Sequence, residues 1–111
     1  MNPNEAARQL ADALAATPEF AQLKNTRRTI AGNRQFASQL SAFEQKQKQA
    51  YTGNLSQAQT QQLMNQLTSD YNSLYAIPEM KQYFDAGEKL NHLVGSALEA
   101  VTARVDTLLQ S

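Results

Sequence analysis

His92 is the only histidine in the chain, and Glu88 stands four residues before it, one turn away if the segment is helical. A metal site needs three or four converging ligands, and a general base needs a substrate pocket beside it. One imidazole with one carboxylate satisfies neither requirement, so His92 reads as a partly exposed helix residue paired with Glu88. Asp85 and Glu88 flank Lys81 and Lys89 at helix-pair spacing, which makes this stretch a solvated charged face. There is no cysteine, which removes thiolate zinc sites, cysteine-held iron–sulfur clusters, disulfides and a thiol nucleophile. No Gly-rich phosphate loop, Ser–His–Asp set or paired-carboxylate signature can be assembled. The sequence therefore nominates no catalytic, cofactor-binding or metal-ligating residue.

The other residues with chemistry to offer are basic. Ten cationic and ten anionic side chains cancel over the chain, yet Glu19 to Gln49 holds Lys24, Arg27, Arg28, Arg34, Lys46 and Lys48 against only Glu19 and Glu44. Such a surplus can hold phosphate, or it can pair with acids of the last helix or of a second subunit. Arg27, Arg28 and Arg34 are the best polar candidates for holding a protein partner, because a planar guanidinium grips carboxylates in bidentate pairs. An RNA-binding second helix is the alternative. Phe20, Phe36 and Phe43 interleave with the basic residues, but their spacing fits a buried stripe better than a stacking platform.

These residues must be positioned by helices. The 111 residues suffice for one domain, taken as residues 1–111, and seventeen Ala and fourteen Gln against three Val and two Ile leave little material for strands. Ala supplies seventeen of the 46 apolar residues, so the core is expected to be thin. Asn2-Pro3-Asn4-Glu5 starts a helix running to about Ala16. Thr17-Pro18-Glu19 starts a second, whose apolar residues continue to Tyr51 past Gly32, a rod of roughly 50 Å if unbroken. Gly53-Asn54 is expected to end it in left-handed conformation, with Leu55 folding back, and Ser56-Gln57-Ala58-Gln59 is a capping box for a third helix to about Ala76. Gln57, Gln59, Gln61, Gln62 and Gln66 then lie on a neutral surface. Ile77-Pro78-Glu79 opens a fourth helix with apolar residues at near three-and-four spacing, and its Gly87 and Gly95 are places where another backbone could approach.

Leu14, Ala16, Pro18, Glu19 and Gln22 recur as Leu74, Ala76, Pro78, Glu79 and Gln82 at a constant offset of sixty residues. The Pro-Glu pair punctuates helices rather than catalysing anything. The expected fold is all-α: a long antiparallel helical hairpin with a short N-terminal and a long C-terminal helix, assembling into a dimeric bundle. Its oligomer seam is expected at Phe20, Leu23, Ile30, Tyr83, Leu90, Val94 and Val101, since one small chain cannot cover such long apolar stripes. The start Met1–Glu5 has no basic and apolar signal pattern, and no run approaches the ~18 apolar residues of a membrane span, so a cytoplasmic protein without membrane insertion is expected.

The order of elements, with Pro-Glu-Phe entering the long helix and Pro-Glu-Met-Lys-Gln-Tyr-Phe-Asp-Ala-Gly-Glu-Lys-Leu-Asn-His-Leu opening the last one, resembles the YlbF/YmcA family of small bacterial helical proteins, closest to its YheA-like branch. Tyr83, Phe84, Ala86, Leu90, Asn91 and Leu93 carry most of the likeness, with Phe20, Leu23, Ile30, Phe43 and Tyr51. The resemblance implies a self-associating helical protein with a non-enzymatic role in competence, sporulation and biofilm control, exerted through a complex that tunes a membrane-anchored endoribonuclease. Some members hold iron–sulfur clusters through cysteines. This chain has none, so that property does not carry over, and the expected partners are a second copy and another protein.

Overall fold

Five helices and no strand make up the protein in a computed structural model describing residues 1–111: α1 (Pro3–Ala15), α2 (Pro18–Ala31), α3 (Arg34–Thr52), α4 (Gln57–Tyr75) and α5 (Pro78–Gln110). The starts follow from side-chain chemistry. Asn2 Oδ1 accepts from Glu5 N at 2.8 Å, and Thr17 Oγ1 accepts from Phe20 N at 3.3 Å. Ser56 and Gln59 exchange both bonds of a capping box, at 3.1 and 3.0 Å. Pro18 and Pro78 occupy first helical positions, where a missing N–H costs nothing, and Glu19 and Glu79 place carboxylates at the positive end of each helix dipole.

The helix expected from Thr17 to Tyr51 is two helices. Asn33 stops it: its backbone is extended (φ −116°, ψ 111°), and its side-chain oxygen accepts from Phe36 N at 3.1 Å, restarting the chain as α3. Asn33 N bonds Ile30 O at 3.0 Å and Ala37 N bonds Asn33 O at 2.8 Å. The two proline breaks repeat that pattern, with Thr17 N on Leu14 O and Ala21 N on Thr17 O, both 3.2 Å, and with Ile77 N on Leu74 O and Lys81 N on Ile77 O, both 2.9 Å. Three interruptions of one local geometry thus cut the chain, only two of them proline-driven.

The end of α3 also differs from expectation. No residue has positive φ, and Gly53 is extended (φ −72°, ψ 144°) with its N–H on Gln49 O at 2.8 Å. Glycine is required there for space, since an added Cβ would lie 2.5 Å from Gln49 O and 3.2 Å from Leu55 Cγ.

The helices form two compact units. In the first, Thr26–Phe84, α3 packs on α4 around Ile30, Leu40, Phe43, Leu67, Leu74 and Met80, with Phe36, Ala50, Leu63, Ile77, Tyr83 and Phe84 against them. Met80 and Ile30, 0% and 2% exposed, are its centre. Phe43 meets Phe84 edge-on at 5.9 Å and Tyr71 lies 4.9 Å from Phe84. Lys46 Nζ on Asp70 Oδ2 at 2.6 Å ties α3 to α4. In the second unit, Met1–Asn25 with Asp85–Ser111, Ala86 is the one buried hydrophobic residue, and α1 contributes none. Leu10, Leu14, Phe20, Leu23, Leu90, Leu93 and Val94 are half-buried. A Cβ at Gly87 would meet Leu23 Cδ1 at an ordinary 3.8 Å and one at Gly95 would meet nothing, so neither glycine marks a close backbone approach. Seven buried hydrophobic residues in the whole chain bear out the thin core.

If Asn33 alone holds the α2–α3 break, Asn33→Ala should lower unfolding free energy by about 1 kcal/mol. Gly32→Ala, whose added Cβ would sit at ordinary distances of 3.5 and 3.6 Å from two carbonyls, should be neutral or stabilise by roughly 0.5 kcal/mol. Urea denaturation of both variants checks the pair.

Candidate functional site

The three arginines nominated from the sequence all belong to the unit Thr26–Phe84, all are exposed, and the structure treats them differently. Arg27 is engaged. Its Nη1 donates to the Tyr83 hydroxyl at 2.7 Å, lies 3.7 Å from Glu44 Oε2, and its guanidinium stands 5.9 Å from the centre of the Tyr83 ring. One side chain of α2 thereby joins α3 and α5, and Arg27 is a strut rather than an open recognition group. Arg28 and Arg34 make no ion pair and no side-chain hydrogen bond. They stand on opposite sides of the Gly32–Asn33 break, which carries both at the end of one helix and the beginning of the next.

The rest of the basic surplus divides in the same way. Lys46 is taken by Asp70 of α4, whereas Lys24 and Lys48 are exposed without an ion pair. The partners are therefore Glu44 and Asp70, not acids of the last helix. Phe43 is buried and Phe36 packs against it, so the aromatic residues interleaved with the cations serve the core. Gln57, Gln59, Gln61, Gln62 and Gln66 are all exposed, as expected.

His92 is exposed and does not pair with Glu88, contrary to expectation. The cause is geometric: one-turn spacing brings two side chains near each other but does not hold them when both are solvated. Asp85, Glu88, Lys89, Asn91 and His92 line an open groove of about 820 Å³ along two turns of α5. Its lining mixes charges of both signs, and no three acidic or histidine side chains converge as metal ligands.

The residues nominated for an oligomer seam are also separated. Ile30 lies inside the core of Thr26–Phe84, and Tyr83 is half-buried and holds Arg27. Phe20, Leu23, Leu90 and Val94 are half-buried, while Val101 is half exposed. Leu98, Val105 and Leu108, left out of that nomination, are as exposed as Val101 and fall on its side of α5. Their three-and-four spacing was visible in the sequence.

Arg27→Ala should cost roughly 0.5 to 1 kcal/mol of stability, a modest value because the ion pair is solvent-screened. Arg28→Ala, Arg34→Ala and His92→Ala should each stay within about 0.5 kcal/mol of the unsubstituted protein in the same chemical denaturation. A loss at Arg28 equal to that at Arg27 would show that the distinction between strut and open arginine is mistaken.

Residues 4–106 match the family model described as control of competence regulator ComK, YlbF/YmcA. No curated protein matches the chain closely enough to serve as a relative.

Proposed function

The chain belongs to the YlbF/YmcA family, described by its control of the competence regulator ComK, and from that premise we propose that it is a non-enzymatic regulatory or adaptor protein acting by binding another protein. The observation that carries this reading is the state of Arg28 and Arg34. Two guanidinium groups, exposed and without an acid of their own chain, flank a helix break in the unit with the larger core. Arginine is enriched where binding energy concentrates, and its fork suits carboxylates on a partner.

Several finer features belong to the same proposal. The protein works in the cytoplasm as a single domain, residues 1–111, with α2 and α5 each contributing to both compact units. No helix is long and apolar enough to cross a membrane. α3 and α4 are the arms of an antiparallel hairpin, a reading supported by Lys46 on Asp70 and by Phe43 against Tyr71, with the turn at Gly53–Ser56. The working form is a homodimer or larger assembly, supported by the apolar side chains left exposed on α5. Binding to RNA through the basic α2–α3 segment is the alternative, weakened because Arg27 and Lys46 are already paired.

Combining Arg28→Glu with Arg34→Glu, with Arg27 left in place, should abolish the partner band that the tagged wild-type protein recovers from its native organism. The far-ultraviolet helical signal should be unchanged. Undiminished recovery by the doubly reversed protein would remove these residues from the interface. Tight RNA binding by the wild type that weakens steeply with added salt would transfer the function to nucleic acid, because counterion release produces that slope.

A further inference from the structure

α3 turns Phe36, Leu40, Phe43 and Ala50 toward the core it shares with α4. On its opposite side Arg34, Ser38, Ser41, Gln45, Lys48 and Thr52 follow one another at intervals of four, three, four, three and four residues, which keeps them on one face, and all six are exposed. That face holds no carboxylate and no apolar residue. Its two cations are not engaged inside the chain either. Glu44 stands against Arg27 and Asp70 holds Lys46, so the charges of α3 left without a counter-ion are Arg34 and Lys48, both positive. Arg28, equally exposed and unpaired, ends α2 on the other side of the Gly32–Asn33 break from Arg34.

The placing of these groups says what kind of partner they fit. An amphipathic helix would find no apolar surface to bury against this face. A nucleic acid would bring about one charge per 1.7 Å of duplex axis, or single-strand bases that stack on aromatic rings. The face instead offers Arg34 and Lys48 roughly 21 Å apart along the helix, with no aromatic residue on it. Ser38, Ser41 and Gln45 fill that interval and make no hydrogen bond to the rest of the chain. Hydroxyls and a side-chain amide both donate and accept, which suits the exposed backbone of an extended peptide. Such a peptide advances ~3.3 Å per residue and covers the interval in about six residues.

We propose that the outer face of α3 binds an extended acidic segment of the partner protein, with carboxylates on Arg28 and Arg34 at one end and on Lys48 at the other, and with peptide backbone over Ser38, Ser41 and Gln45. The proposal rests on the protein-binding reading above and deepens it by adding Lys48, the spacing of the acids and the unfolded character of the bound segment. Because every contact is polar and exposed, binding is weak for a single segment and falls as salt rises.

The probe is a fluorescein-labelled peptide with a glutamate pair and a single glutamate about six residues apart in a Gly-Ser background. Fluorescence anisotropy with the full chain at low salt should show saturable binding that is absent from the same peptide with glutamine in place of glutamate. Lys48→Glu should weaken binding of this peptide about fivefold and leave that of a peptide carrying only the glutamate pair unchanged. Arg34→Glu should weaken both. Arg104→Glu changes the net charge equally from the other compact unit and should weaken neither. Equal affinity for the glutamine peptide overturns the proposal, as does a Lys48→Glu protein that binds the spaced peptide like wild type, or tighter binding of a uridine oligomer than of the acidic peptide. Lys48→Gln, expected to give an intermediate loss, serves if the reversal disturbs the helical signal. Partner recovery from cells that is lost on reversing Arg28 and Arg34 yet kept by Lys48→Glu overturns the α3 face while protein binding through the arginines stands. Recovery indifferent to the arginine reversal removes both.

Discussion

A helix that stops and restarts within two residues must still satisfy the amides and carbonyls that the interruption exposes. This chain meets that requirement three times with one arrangement: an amide bonded three residues back, and that same residue's carbonyl accepting the first bond of the next helix. Pro18 and Pro78 enforce two of the breaks, because a proline one position further into a continuous helix would lack its donor and strike the carbonyl four residues before it. Asn33 enforces the third with a side-chain cap. The residue just ahead of each break is apolar, Leu14, Ile30 or Leu74, and the last two are buried. Ending helices next to core residues lets Ile30, Leu74 and Met80 converge, where continuous rods would carry them apart.

A core this small has consequences for the side chains around it. Where Ala replaces larger residues, helices gain propensity but bury little area, so aromatic contacts and individual polar ties carry more of the organisation. Phe43, Tyr71 and Phe84 fill the space between α3, α4 and the start of α5, and Arg27 closes one side of that region through Tyr83 and Glu44. Neighbouring residues of identical charge thus end with different work. Arg27 belongs to the fold, and Arg28, one residue on, projects from it.

Helix starts were legible because their signals are local: Asn2-Pro3, Thr17-Pro18, Ser56 with Gln59, and Ile77-Pro78 each act within a turn of the helix they begin. Asn33 was not, because Gly32 is tolerated within a helical pattern and a cap without proline looks like any interior asparagine. Gly53 was recognised as a terminator for the wrong reason, since what excludes a side chain there is the Gln49 carbonyl rather than a left-handed backbone. The arginines could not be ranked from sequence, as the group that occupies Arg27 lies 56 residues away. The three-and-four spacing of the α5 stripe was legible, but the exposure of its last residues was not.

Apolar cover reaches the first part of α5 and not its end, where Leu98, Val101, Val105, Leu108 and Leu109 are exposed. Amide hydrogen exchange measured over a range of protein concentrations tests the proposed assembly most directly, because only a segment protected by association responds to mass action. The amides of residues 98–108 should exchange more slowly as concentration rises, while those around Leu40, Phe43 and Leu67 should not change. Exchange at residues 98–108 that is independent of concentration, whether fast or slow, would contradict the account.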